Sequence, residues 1–444
     1  MIKRRFSRLA SLTAAAAISL TLFAGCGNSP EVLPDPGASV TQEAPAQTGD
    51  AQSAQTQEAA QETDPADAPS ETPADSQPAE DALDPAADLL QGEVIIPEGY
   101  DKYEMRGLTP TELIAEMKTG FNMGNALDAF DGAGLSAETS WGNPKTTKEM
   151  VDAICAAGFN LIRIPVTFAG HMGPAPDYTV EEEWMDRVQE VVDYCLDDGM
   201  YVLLDSHHEE SWRIPDEEHI DAVNAQNTAL WTQIAQRFAD YGDHLVFDGL
   251  NEPRVKGGVN EWSGGTAENR ACLISMNQGF VDAVRATGGK NEQRLLLVTS
   301  YASSANIQCI GNITVPDDPY MGISIHAYAP YDFCYESESS VRKWTGGRNY
   351  ELDTLFSQLK GNLVNKGIPV ILTEYGAVNK QNNDEEVAKW VTYYLTCAKE
   401  AGIPCVWWDN GVSTGNGELF GIFNRRKLTW SRPAIVKAIM DVYD

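Results

Sequence analysis

Along residues 102–444, short apolar runs alternate with longer amphipathic segments, and this alternation is the feature that most constrains the fold. The centres of the runs are nearly apolar, as expected for strands that are buried on both faces of a parallel sheet. The runs span 120–127, 160–167, 201–207, 245–252, 294–301, 321–328, 369–376 and 405–410. The segments of helical period span 147–158, 181–199, 221–241, 268–288, 350–367, 383–402 and 431–443. This pattern predicts an α/β protein with a parallel sheet.

The way these elements begin and end narrows the architecture further. Several helical segments end in Gly directly before the next strand, for example at Gly158 and Gly402, as expected for helix C-caps. The segment after the fifth run, 303–309, is short, so its helix is the weakest part of the pattern. No Gly-rich phosphate loop opens the first helix, which counts against a nucleotide-binding sheet. The sequence therefore predicts a single (β/α)8 barrel, the TIM barrel, over 102–444.

The first 25 residues have the composition of an export signal. Basic residues at positions 3, 4, 5 and 8 precede a short run of Ala, Leu, Ile and Phe, and small residues stand directly before Cys26. This pattern predicts a bacterial lipoprotein signal peptide over 1–25, lipidation of Cys26 and a location on the cell surface. Ordinary cleavage near Ala24 is the alternative. The pair Arg4-Arg5 also fits twin-arginine export, although such pairs are common in basic leaders.

The next segment, 26–101, has a different composition from the rest of the chain. It holds 17 acidic residues and no Lys or Arg. Since it has too few apolar residues to offset the entropy of ordering, we expect a disordered, self-repelling tether, with a partner-binding tail as the alternative. The chain as a whole has a net charge of −33. Such acidity argues against binding to nucleic acid, and against contact with an anionic membrane surface other than through the lipid anchor. It does not argue against a neutral polysaccharide as the ligand.

Seven further cysteines lie in 102–444, and several stand in apolar runs, for example Cys155 and Cys405. Because their number is odd and the domain is large enough to need no disulfide bonds, we expect buried free thiols. No CxxC motif or Cys/His ligand spacing of a zinc site occurs. We therefore expect neither a metal ion nor a cofactor.

Polar residues concentrate at the carboxyl ends of the predicted strands, where the functional residues of TIM barrels lie. A charge buried at such a position is costly unless it is paired or used in chemistry. The residues at these ends are Asn125, Arg163, His207, His208, Asn251, Glu252, Tyr301, His326, Tyr328, Glu374, Tyr375, Trp408 and Asp409.

Two carboxylates stand out in this set, Glu252 after the fourth strand and Glu374 on the seventh. These strands lie on opposite sides of a barrel mouth, so two carboxyl groups can approach to about 5 Å, the separation that retaining glycosidases use. One group must then be protonated and the other ionised. We expect Glu252 to lie between Asn251 and His326, and Glu374 to lie near Arg163 and Tyr328. Ordinary ion pairs at strand ends are the alternative interpretation.

At this point the chain resembles a known family, glycoside hydrolase family 5, and most closely its subfamily 4 of endoglucanases and xyloglucanases. The resemblance covers essentially all of 105–444. The matching motifs are GFNMGNALD (120–128), ETSWGNP (138–144), RIP (163–165), LDSHHE (204–209), NEPR (251–254), HAY (326–328), TEYG (373–376) and WWDNG (407–411).

The resemblance implies roles for the matching residues. It implies Glu252 as general acid/base, Glu374 as nucleophile, and Asn251 as the group that holds the 2-hydroxyl of the substrate. Tyr328 is implied to lie beside the nucleophile, and Trp408 to form the stacking floor of the −1 subsite. The remaining candidates for substrate contact or support of the catalytic pair are Asn125, Trp141, Arg163, His207, His208 and His326.

Two further features have alternative interpretations. The run His207-His208-Glu209-Glu210 could be read as metal ligands, but TIM-barrel metallohydrolases typically use a His-x-His pair on the first strand. Aromatic rings stack on sugars, so tryptophans in the loops at the carboxyl ends indicate a glycan groove. These tryptophans are Trp141, Trp212, Trp262 and Trp344, whereas Trp184, Trp231 and Trp390 lie within helices and are expected in the core.

The sequence therefore predicts a monomeric, surface-anchored enzyme that cleaves β-1,4-glucans internally with retention of configuration. Xyloglucan, mixed-linkage β-glucan and mannan are alternative substrates. From another class, a non-catalytic sugar-binding lipoprotein is the rival. That protein would need two α/β lobes and a hinge, and would have no use for the pair Glu252 and Glu374.

Overall fold

The structure, a computed structural model, describes residues 92–258 and 260–444. The predicted signal peptide, the lipidation of Cys26 and most of the predicted tether lie outside the described residues. Within them, no helix combines the length and the apolar character needed to cross a bilayer.

Eight parallel strands form a closed barrel in the order β1 to β8. Each strand pairs with its neighbours in sequence, and β1 pairs with β8 to close the ring. The strands are β1 (Thr119–Met123), β2 (Leu161–Val166), β3 (Tyr201–Ser206), β4 (Leu245–Asp248), β5 (Leu296–Ser304), β6 (Met321–His326), β7 (Val370–Tyr375) and β8 (Cys405–Asp409). The predicted (β/α)8 barrel is therefore confirmed.

Helices cover the outside of the barrel. They are α1 (Pro110–Glu116), α2 (Lys148–Ala156), α3 (Glu182–Asp197), α4 (Ile220–Arg237), α5 (Ala267–Arg285), α6 (Ile307–Ile310), α7 (Tyr331–Cys334), α8 (Asn349–Asn362), α9 (Asp384–Ala401) and α10 (Pro433–Asp441). The helix after β5 is a single turn, as its short segment suggests. Two short antiparallel strands, β9 (Phe423–Asn424) and β10 (Thr429–Trp430), follow β8.

The main core lies between the strands and the surrounding helices. Trp184, Trp231 and Trp390 are fully buried there, as expected for tryptophans on the inner faces of helices. A second cluster fills the amino-terminal end of the barrel, where Leu113 and Ile114 of α1 pack against strand residues. A capping box begins α1, because Thr109 and Glu112 exchange hydrogen bonds between side chain and backbone. All seven cysteines of the described residues are free, and five are buried.

The segment 92–106 packs against the amino-terminal end of the barrel, although the sequence analysis placed 92–101 in the tether. Tyr100 lies 4.7 Å from the ring of His244, and the Lys102 ammonium contacts Asp193 and Asp197 at 3.0 and 2.7 Å. The carbonyl of Lys102 accepts a hydrogen bond from the Gly242 amide at 2.8 Å. The packed part of the chain therefore begins before residue 102, because aromatic and ion-pair contacts far along the sequence order this segment.

Candidate active site

Glu252 follows β4 in a left-handed backbone conformation, with φ of 40°. A non-glycine residue adopts this conformation at a cost and needs support from its surroundings. The support comes from β5, because the Ser303 hydroxyl accepts a hydrogen bond from the Glu252 amide at 3.1 Å. Ala302 and Ser303 are themselves left-handed, and the register between β5 and β6 shifts at this point. The predicted fifth strand ended at 301, so this supporting turn was not anticipated.

Glu374 lies on β7 and is almost completely buried. Arg163 Nη1 donates to Glu374 Oε1 at 2.8 Å, and the Tyr328 hydroxyl donates to Glu374 Oε2 at 2.8 Å. These are the two neighbours expected from the sequence. Both oxygens thus accept a hydrogen bond, one of them charge-assisted, which fixes the orientation of the carboxyl group.

The two carboxylates face each other across His326. One oxygen of Glu252, one oxygen of Glu374 and a ring nitrogen of His326 all lie within 4.8 Å of one another. His326 Nδ1 lies 2.9 Å from Glu252 Oε1 and 3.4 Å from Glu374 Oε2. Burial lowers the pKa of His326 to about 4, so the ring is neutral and Nδ1 lies within hydrogen-bonding distance of both carboxyl groups.

The environments of the two carboxylates differ, as an acid and a nucleophile require. Burial raises the pKa of Glu252, although nearby positive charges, Arg254 first, oppose this effect. The side chain of Glu252 is 22% exposed and that of Glu374 is 7% exposed, so the group with the raised pKa is also the one that solvent can reach. Burial also raises the pKa of Tyr328, whose hydroxyl therefore remains a donor to Glu374.

Arg163, which is fully buried, connects Glu374 with the floor of the site. Its guanidinium contacts Glu374 Oε1 (2.8 Å), Asp205 Oδ2 (3.0 Å), Asp248 Oδ2 (2.9 Å), Asn251 Oδ1 (3.0 Å) and Asn122 Oδ1 (3.2 Å). Arg163 and Asn251 were predicted from the sequence as site residues, whereas Asp205, Asp248 and Asn122 were not. Their signal was weak, since each is a single polar residue on an apolar strand.

Asn251 and His207 form a chain of hydrogen bonds beside Arg163. Burial lowers the pKa of His207 and keeps the ring neutral. His207 Nδ1 donates to Asp205 Oδ2 at 2.5 Å, and His207 Nε2 accepts from Asn251 Nδ2 at 3.4 Å. This arrangement orients the Asn251 amide, whose second N–H remains for another acceptor.

Trp408 lies parallel to the ring of His207, with centroids 5.6 Å apart. Its position depends on Gly124 at the end of β1. A Cβ atom at Gly124 would lie 2.7 Å from the Trp408 ring, closer than carbon atoms pack. The glycine therefore makes room for the indole at the predicted site.

Three further predicted site residues, Asn125, Trp141 and His208, lie in the loops after β1 and β3. Trp141 donates its indole N–H to Asp131 Oδ2 at 2.7 Å, and its ring lies 5.1 Å from Phe130 and 5.5 Å from His208. Asn125 is left-handed, with φ of 54°. Phe130, which the sequence analysis did not identify, is 47% exposed and completes an aromatic patch that a sugar ring could contact.

The other loop tryptophans have different surroundings. Trp262 is 59% exposed, and its ring covers the Arg254 guanidinium at 4.3 Å. Trp212 is partly buried and donates to Glu209 Oε2 at 2.6 Å. Trp344 is buried against Phe333, so its expected place in a sugar-binding groove is wrong.

Tyr301 is buried as well, and its hydroxyl accepts from the Val255 amide at 2.9 Å. The ring lies beneath the loop after β4 and supports it.

Two groups of potential metal ligands occur among the described residues. They are Asp128 with His207 and His208, and Glu252 with His326 and Glu374. Asp128 already accepts the amides of Asn125 and Ala126, and His207 Nδ1 is bound to Asp205. Glu209 points away from the site, toward the Phe168 amide and Trp212. The geometry of both groups is thus explained by hydrogen bonding within the protein.

A TIM barrel whose carboxyl end holds one buried and one partly exposed carboxylate in unlike environments is typical of a glycoside hydrolase. Residues 124–414 match the family model Cellulase (glycosyl hydrolase family 5). The chain belongs to glycoside hydrolase family 5.

The chain is also similar to proteins that are named endoglucanases. The chain is 55% identical to Endoglucanase A of Ruminococcus albus over 341 residues, which covers 76% of this chain and 94% of that protein. It is 42% identical to a solved GH5-4 broad-specificity endoglucanase from Ruminococcus champanellensis with bound cellotriose, with a TM-score of 0.74 over 76% of this chain and 99% of that chain. The chain is also 42% identical to a solved GH5 xyloglucan-specific endo-β-1,4-glucanase from a metagenomic library, in complex with cellotriose. The TM-score is 0.73, over 75% of this chain and 98% of that chain.

Proposed function

We propose that this protein is a retaining endo-β-1,4-glucanase in which Glu252 is the general acid/base and Glu374 is the nucleophile. The observation that carries the proposal is the pair itself, with oxygens within 4.8 Å of each other and unlike environments. Retaining glycosidases place their carboxyl groups about 5–5.5 Å apart, which leaves no room for a water molecule between the sugar and the second carboxylate.

The reaction proceeds in two displacements. Glu374 Oε attacks the anomeric carbon and forms a glycosyl ester, while the glycosidic C–O bond breaks and Glu252 gives its proton to the leaving oxygen. Glu252, now ionised, removes a proton from water, and the water oxygen attacks the anomeric carbon and releases Glu374. Arg163 and Tyr328 donate to the two oxygens of Glu374 and hold the carboxyl group in place for the attack.

The remaining predicted residues fit contacts to the substrate. Trp408 offers an aromatic face for the sugar at the cleavage point, and the free N–H of Asn251 suits its 2-hydroxyl. Trp141, His208 and Asn125 suit contacts with sugars further along the groove. A linear β-glucan is the substrate class that we favour, since the relatives named above are endoglucanases and two were solved with cellotriose.

The test is hydrolysis of carboxymethylcellulose, xyloglucan, mixed-linkage β-glucan and mannan by the full chain and by its Glu374→Gln variant. We expect the wild type to cleave a β-glucan and the variant to lose roughly 10⁴-fold or more in rate, since the nucleophile is removed. NMR of the first product should show the β-anomer. A wild type that binds oligosaccharide and cleaves none of the four would contradict the proposal, and an α-anomer would contradict retention.

We further propose that the protein is a monomer on the outside of the cell, anchored to the membrane through lipidated Cys26. The support is the sequence pattern around Cys26. A Cys26→Ser variant should appear in the medium, whereas the wild type should stay with the membrane fraction. Equal distribution of the two would contradict the anchor.

A further inference from the structure

Arg254, two residues after the proposed acid/base, makes a set of contacts that the catalytic steps above do not use. It is buried, and Nη1 donates to the Glu252 carbonyl at 3.0 Å and lies 3.4 Å from Glu252 Oε2. Its Nε donates to Glu261 Oε1 at 3.0 Å, and the Trp262 ring covers one face. The guanidinium is therefore held on several sides while it touches both the backbone and the carboxylate of Glu252.

Glu210, in the loop after β3, holds the remaining side of this guanidinium. Arg254 Nη2 lies 3.4 Å from Glu210 Oε1, and the same oxygen lies 3.5 Å from His208 Nδ1. Glu210 thus joins the loop after β4 to the loop after β3. Positive neighbours, His208 first, lower the pKa of Glu210 to about 2 against the effect of burial, so it is an anion at any working pH.

We propose that Arg254 and Glu210 act together as positioning residues for the acid/base, with Arg254 fixing the Glu252 carboxylate and Glu210 fixing Arg254. This inference rests on the proposed function of Glu252. It explains why a left-handed residue after β4 keeps one orientation: its amide is bound by Ser303, and its carbonyl and Oε2 both face one guanidinium nitrogen, Nη1 of Arg254.

The same contacts set the charge around Glu252. The groups that face it are Arg254 on its own loop, His208 and Glu210 after β3, Arg163 on β2, His326 on β6, Tyr328 after β6, Tyr335 after α7 and Glu374 on β7. Arg254 is the largest of the influences that lower the pKa of Glu252. Removal of this charge should let the pKa of Glu252 rise, which keeps the acid protonated to higher pH.

The experiment measures kcat/KM against pH for the full chain, with cellotetraose and with 2,4-dinitrophenyl cellobioside. The first substrate needs a proton on its leaving oxygen, and the second does not. In Arg254→Met we expect the basic limb with cellotetraose to move up by about one pH unit, because an opposite charge at this distance is removed. We also expect about a 10-fold loss at the optimum with cellotetraose and less than a 3-fold loss with the aryl glycoside.

Two further variants separate charge from geometry. Arg254→Lys should return the basic limb toward that of the wild type and keep part of the rate loss, since the charge is restored without the fork. Glu210→Gln should slow the cellotetraose reaction, and the double variant should be no slower than Arg254→Met alone, because Glu210 acts through Arg254. Arg237→Met, which removes an ion-paired arginine on the outer surface of α4, is the control.

Equal losses on both substrates with an unmoved basic limb in Arg254→Met would reduce Arg254 to a structural role and overturn the inference. Additive losses in the double variant would overturn the part that concerns Glu210. A wild type that cleaves neither substrate overturns the proposed function and this inference together, whereas an active wild type with an unmoved basic limb in Arg254→Met overturns the inference alone.

Discussion

At the scale of single residues, the backbone of Glu252 is the most demanding feature of the site. Its φ of 40° costs about 1–3 kcal/mol for a residue with a Cβ atom, and the conformation persists only where the surroundings impose it. The Ser303 hydroxyl accepts the Glu252 amide and receives a hydrogen bond from Thr299 Oγ1 at 3.0 Å. A serine some fifty positions away in sequence therefore sets the direction of the proposed acid/base.

Ser303→Ala should lower kcat/KM on a β-glucan by about 10-fold and lower stability by about 1–3 kcal/mol, because a buried amide loses its acceptor. The measurement is steady-state kinetics together with urea unfolding. Ser357→Ala, on the exposed side of α8, is the matched control. A loss of stability with unchanged kcat/KM would show that Ser303 does not orient Glu252.

The raised pKa of Glu252 has a consequence for stability. The folded chain binds this proton more tightly than the unfolded chain, whose glutamate has the ordinary pKa of 4.5. Below that pH both states are protonated and no penalty exists; as the pH rises above it, the unfolded chain ionises first and the folded state is destabilised. Glu252→Gln removes the penalty, and the neutral amide oxygen of the glutamine can still accept from Arg254.

We therefore expect Glu252→Gln to melt about 1–3 °C above the wild type at pH 7, with a difference that shrinks toward pH 4. Thermal unfolding between pH 4 and pH 8 measures this. The control is Glu400→Gln at an exposed position of α9. A variant that melts below the wild type throughout this range would contradict the expectation.

At the scale of elements, Arg294 joins the end of α4 to the start of β4. It is fully buried, and burial lowers its pKa to about 9. Its guanidinium donates to the side chain of Asn291 and to the carbonyls of Phe238, Tyr241, Gly242 and Leu245. These carbonyls end a helix and begin a strand, where backbone groups otherwise lack partners.

Arg294→Lys should lower the free energy of unfolding by about 2–4 kcal/mol, because an ammonium cannot reach five acceptors spread around a planar fork. The pH profile of the folded enzyme should not move, since the residue lies far from Glu252. Urea unfolding and the pH profile are the two measurements, with Arg237→Lys as the surface control. An unchanged free energy of unfolding would show that the hydrogen bonds of Arg294 do not stabilise the fold.

At the scale of the whole molecule, the segment 92–106 ties the chain to the end of the barrel opposite the carboxylates. Arg106 binds Asp243 at 2.9 Å, and the Asp243 amide binds the Glu104 carbonyl at 3.0 Å. Together with Tyr100 and Lys102, these contacts cover the amino-terminal ends of β3 and β4.

A chain that begins at residue 107 should melt about 5 °C or more below a chain that begins at residue 92, and its KM should be unchanged. Differential scanning calorimetry and kinetics on the two chains measure this. The ion pairs are partly exposed, so Lys102→Ala alone should account for only a small part of the difference. Equal melting temperatures would show that the segment contributes nothing to stability.

The sequence by itself determined the barrel fold, because the periodicity of apolar residues, the glycine C-caps and the apolar strand centres are local properties of the chain. It also determined which carboxylates to examine, since Glu252 and Glu374 end apolar runs. Only the tertiary structure decided how these groups are held. The register shift that brings Ser303 under Glu252, the pairing of Arg254 with Glu210, the burial of Trp344 and the packing of 92–101 all depend on the paths of loops. Such contacts join residues far apart along the chain, where no periodicity marks the partner in advance.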